Sequence, residues 1–101
     1  MFLPWIVALL LSASPGATVF DGYYDPANLT IKKGQTIRWT FDKSNTQSHT
    51  VTYLSGPPKS KYFSSGSIGA GGSYRKKLTI KGSYTLYCVS HPNMIQKIRV
   101  R

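Results

Sequence analysis

Gly82-Ser83-Tyr84-Thr85-Leu86-Tyr87-Cys88-Val89-Ser90-His91-Pro92-Asn93-Met94 decides how this chain is read. Its first half alternates. Tyr84, Leu86 and Cys88 fall on one face of an extended strand, because successive residues on a strand point to opposite sides. Its second half is a short loop with three soft or borderline metal ligands, spaced Cys-x-x-His-x-x-Met. The strand aims Cys88 at a core, and the loop presents His91 and Met94 beside it.

The same period of two runs upstream. It predicts strands at Thr18–Tyr23, Asn28–Lys33, Thr36–Phe41, His49–Leu54, Tyr74–Ile80, Ser83–Val89 and Gln96–Arg101. A short further strand is allowed at Lys61–Phe63. Lys33-Gly34-Gln35 and Lys81-Gly82-Ser83 mark tight turns, and Ser55–Ser60 and Ser64–Ser73 are loops rich in Gly, Ser or Pro. No helix longer than a turn or two is expected. Seven to eight short strands at this spacing imply an all-β chain, an antiparallel sandwich or barrel. Ile37, Trp39 and Phe41 form an inward set, with Arg38 and Thr40 outward. His49, Val51 and Tyr53 share a face. His49 and Cys88 thus each end a strand and point inward, so they converge at one pole. Lys76 is in phase with Leu78 and Ile80, which predicts a buried stem and a solvated ammonium.

A chain of 101 residues is one domain at most. Met1 to Ala17 reads as a secretory signal peptide, with an apolar run from Phe2 to Leu11 and small residues after it. It lacks a Lys or Arg before the run, and cuts after Gly16 or Ala17 both fit. A membrane anchor is the competing reading, but a spanning helix needs about 20 apolar residues. Residues 18–101 then form the domain, exported and with no membrane span of its own. One cysteine cannot make an internal disulfide, and a lone thiol in an exported chain is a hazard or is in use.

Thirteen Lys and Arg oppose three Asp and no Glu, for a net charge of +10. Such a field attracts anionic partners. The basic residues are scattered, with no basic helix and no nucleic-acid-binding motif, so nucleic acid is not an expected partner.

His49, Cys88, His91 and Met94 use both histidines, the only cysteine and the only methionine beyond the initiator. Taken singly, each has a bland reading: a core thiol, a structural histidine, a filler methionine. Taken together they match the ligand chemistry of a type 1 copper centre, two imidazoles and a thiolate with a weak thioether. Zinc fits less well, since structural zinc prefers more thiolates and methionine is a poor zinc ligand. With both histidines in this set, no free base remains, and no His-Asp or paired-carboxylate arrangement is expected to run hydrolysis. The chain is therefore not read as an enzyme.

From Leu29-Thr30-Ile31-Lys32-Lys33-Gly34-Gln35-Thr36-Ile37-Arg38-Trp39, through His49-Thr50-Val51, to Gly82–Cys88 and His91-Pro92-Asn93-Met94, the chain resembles the small cupredoxins of the plastocyanin, amicyanin and pseudoazurin group. The resemblance spans about Val19 to Val100. It implies a Greek-key β-sandwich with one type 1 copper ion at one pole. It also implies equatorial ligands His49, Cys88 and His91, an axial Met94, and His91 as the electron port. Two positions depart from the group. Thr50 stands where an Asn often ties the first histidine loop to the cysteine loop, and its hydroxyl offers a lesser version of that bond. Gln96 stands where Gly is common, and is expected to crowd or rim the site. The implied function is a mobile, monomeric one-electron carrier between redox proteins, with an acidic docking face on the partner. An envelope copper scavenger or metallochaperone would use the same ligands. A metal-free module binding polyanions would rest on the charge alone.

Overall fold

The computed structural model describes residues 14–101. Eight strands follow in order: β1 Gly16–Phe20, β2 Tyr23–Asp25, β3 Asn28–Ile31, β4 Thr36–Phe41, β5 Thr52–Ser55, β6 Ser73–Lys77, β7 Gly82–Cys88 and β8 His91–Val100. No helix occurs among the described residues. The strands form two sheets of four, ordered β2-β1-β4-β6 and β3-β8-β7-β5. Two pairings are parallel, β1 with β4 and β3 with β8, and the rest are antiparallel.

Alternation builds the core between the sheets. Ile37, Trp39 and Phe41 on β4 are fully buried, while Arg38 and Thr40 are exposed. Leu86 and Cys88 on β7, with Met94, Ile98 and Val100 on β8, face them from the other sheet. A polar clip crosses this core. Trp39 Nε1 donates to Gln96 Oε1 at 2.8 Å, and Gln96 Nε2 donates to the Pro26 carbonyl at 2.8 Å. Gln96 is therefore an interior link between the sheets. The expectation that it rims the site is corrected: its phase on β8 is that of Met94 and Ile98.

Several element boundaries differ from the sequence expectation. The predicted strand Thr18–Tyr23 is two strands, because Gly22 adopts φ +94° and turns the chain back on itself. The conformation is open to glycine without a Cβ penalty. Gly16 and Ala17, assigned above to the leader, lie in β1 beside Arg38 and Trp39, and Ala17 is buried. His49–Val51 precedes β5; His49 makes an isolated bridge to Ile68 instead. No strand forms at Lys61–Phe63, although the Phe63 carbonyl accepts from the Tyr53 amide. β8 starts at His91, since a register shift after Tyr87 lets Cys88 pair with His91. Lys76 is half-buried, with Nζ 5.1 Å from the centre of the Phe63 ring, a cation–π contact.

Candidate metal centre

β7 ends at Cys88 and β8 begins at His91, so the two-residue turn Val89-Ser90 brings them together. His49 arrives from the loop after β4, held by reciprocal backbone hydrogen bonds with Ile68. Cys88 Sγ lies 3.8 Å from His49 Nδ1 and 3.6 Å from His91 Nδ1. All three donor atoms fall within 4.8 Å of one another. First-row metals bind sulfur and imidazole nitrogen at about 2.0–2.3 Å, which at trigonal angles spaces the donors by about 3.7 Å. The two sulfur–nitrogen spacings match donors shared by one metal ion. Cys88 and His49 are buried, and His91 is partly exposed. Met94 is buried in the adjoining core.

The surroundings orient each donor. His49 turns its far nitrogen, Nε2, to Asp21 Oδ1 at 2.6 Å. The Asp21 carboxyl is held well below the usual carboxylate range, first by the Thr46 amide and next by His49. A carboxylate can only accept, so it fixes the proton on Nε2 and leaves the Nδ1 lone pair for the metal. The sequence reading did not foresee this His–Asp pair, and it corrects the expectation that none exists. The other nitrogen of His49, Nδ1, faces the Cys88 sulfur. Nothing local marks Asp21: it sits in the β1–β2 turn, 28 residues from His49.

Thr50 does what the sequence allowed it. Its hydroxyl accepts from the Val89 amide at 3.0 Å, tying the two loops, and its amide donates to Cys88 Sγ at 3.4 Å. Thr50 Oγ1 also lies 2.8 Å from Thr52 Oγ1, which contacts Ser64 Oγ at 2.9 Å. Tyr24 donates its phenol hydrogen to the Thr50 carbonyl at 2.7 Å. Burial, and then the charge of Cys88, push that phenol up and keep it a neutral donor.

The family of copper binding proteins, plastocyanin/azurin family, matches residues 14–101. The chain belongs to that family. It is a cupredoxin, and His49, Cys88 and His91 are positioned to bind one copper ion. Solved cupredoxins share the fold. A reduced amicyanin variant superposes with a TM-score of 0.77 at 21% identity, over 89% of this chain and 84% of that one. A purple cupredoxin from Nitrosopumilus maritimus superposes with a TM-score of 0.73 at 23% identity, over 87% and 100%. No curated protein sequence matches the chain.

Proposed function

We propose that this cupredoxin is a one-electron carrier and not an enzyme. The observation that carries the reading is the burial gradient at the site: His49 and Cys88 are closed off, and His91 alone of the three reaches the surface. Bound copper would supply the Cu(II)/Cu(I) couple. Met94 is assigned as the axial ligand, from its burial in the core next to the loop. His91, with Nδ1 turned to the sulfur, leaves its outer ring edge for a partner, and is the electron port. The Asp21 and Thr50 contacts hold the ligands in one arrangement in either redox state, so electron exchange needs little reorganisation. The closed positions of Cys88 and His49 favour a carrier over a metallochaperone, which must release its metal readily.

Redox proteins are the proposed partners, and a monomer the proposed form. The sequence expectation was a partner with an acidic docking face, steered by the overall positive charge. The loop neighbours of His91 are the uncharged Val89, Ser90, Pro92 and Asn93, with Val89 exposed. Docking at His91 through a small uncharged patch accords better with that loop. Residues 1–17 are proposed as an export signal. β1 begins at Gly16, so a cut after Ala17 removes two paired strand positions, whereas a cut before Ser14 leaves the described fold whole.

The test is visible absorption of the protein titrated with Cu(II) and then reduced with ascorbate. The expected result is an intense thiolate-to-copper band that bleaches on reduction and returns on oxidation. Cys88→Ser should remove it. A colourless copper complex, or one that loses metal on reduction, would sink the carrier reading.

A further inference from the structure

The strand register sorts the basic residues by pole. β3 runs parallel to β8, with Ile31 beside Val100, so Lys32 and Lys33 leave β3 at the end opposite His91. The Lys33 amide donates to the Arg101 carbonyl at 2.9 Å. Lys81 immediately precedes Gly82, which pairs with Val100, and Arg99 pairs with Ser83. Lys77 pairs with Thr36 at the start of β4. All six side chains are exposed. Lys32, Lys33, Lys81 and Arg101 line one open hollow with no other residue between them. The copper pole is different: Asp21 and Asp42 follow the ends of β1 and β4 there, with only Lys43 in the adjoining turn.

None of the six cations has an acidic neighbour. Among the described residues the only ion pair is His49 with Asp21. Crowding like charges destabilises a compact chain through self-repulsion, which an anionic surface relieves. β1 also begins toward this pole, since Gly16 lies beside Arg38 near the start of β4. The chain therefore comes into the sheet there from the uncharged apolar run Phe2–Leu11.

We propose that the pole opposite copper is a docking surface for an anionic lipid bilayer, which leaves His91 facing away into solution. A lysine or arginine close to an anionic membrane strengthens binding by about fivefold. A broad charged plane engages all six at once. A protein partner fits less well, because protein interfaces centre on aromatic or aliphatic anchors, and only cations line this hollow.

The test uses the copper-loaded full chain and vesicles of phosphatidylcholine, alone or mixed with phosphatidylglycerol, with binding read by sedimentation. The apolar run is uncharged, so its contribution cancels in the difference between the two lipids. The expected result is a preference for the anionic vesicles that falls with salt. A variant carrying Lys32→Gln, Lys33→Gln and Lys81→Gln should lose roughly a hundredfold of that preference. A variant carrying Lys43→Gln, Arg75→Gln and Lys97→Gln removes equal charge from the copper pole and from mid-strand positions, and should keep most of it. Equal loss in the two variants would overturn the proposal, since a uniform field would then suffice. So would indifference to lipid charge, including the case where the protein binds polyglutamate but no vesicle.

Discussion

At His49 the imidazole has two neighbours, the Cys88 sulfur on Nδ1 and the Asp21 carboxylate on Nε2. Removing the negative charge while keeping the acceptor, with Asp21→Asn, should weaken copper binding by roughly tenfold or more. The loss should be larger for Cu(II), so the midpoint potential rises; a tenfold bias toward Cu(I) is about 59 mV. Voltammetry and metal competition would measure both, and an unchanged potential would assign Asp21 a purely structural role. Asp42 supplies a separate, pH-dependent effect. The Ser44 hydroxyl and amide hold its carboxyl below the usual range. Its folded value lies under the unfolded one, near 3.9, so the unfolded chain binds more protons in between. Asp42 therefore stabilises the fold above that range, and this is lost as pH falls through the folded value. Melting temperatures should drop more gently below pH ~4 in Asp42→Asn than in the native chain. The His49, Cys88 and His91 cluster was legible in the sequence because these residue types are scarce and chemically distinct. Asp21 was not, since turn aspartates are ordinary and its partnership exists only once β1 lies beside β4.

Among elements, β4 was read to its ends, because Ile37, Trp39 and Phe41 alternate with Arg38 and Thr40. The strand read at Thr18–Tyr23 ran through the β1–β2 break, although Asp21-Gly22 is a turn signal between two apolar stretches; the backbone turns there, with Gly22 at φ +94°. β8 was read too short, because its first residues also serve as the ligand loop. Gln96 was placed at the rim by analogy, although its phase with Ile98 and Val100 pointed inward. Its clip joins β8 of one sheet to β4 of the other and to the β2–β3 connection. Gln96→Leu keeps the volume but strands the buried Trp39 N–H and the Pro26 carbonyl. The expected cost is about 1–3 kcal/mol. Urea unfolding followed by Trp39 fluorescence checks it, and a neutral result would mean that water or a shifted ring replaces the partner.

For the whole molecule, His49 and the Cys88–His91 segment bring two distant stretches of chain to one point, so metal and fold are linked. Copper at a hundredfold excess over its dissociation constant should add about 2.7 kcal/mol. In a domain of this size that raises the melting temperature by roughly 10–20 °C. Calorimetry of the copper-loaded and chelator-stripped forms measures the difference, and coincident transitions would show that the folded and unfolded chains bind copper equally well. The sandwich architecture was legible from strand count and phase. The uneven placement of charge was not, because it depends on which strands run parallel. That threading has a further consequence. The described chain comes in beside the start of β4 and goes out beside the end of β3. A second module joined directly to either end of the described chain would emerge on the side away from His91. Tandem copies strung together by short linkers would therefore leave every His91 bare.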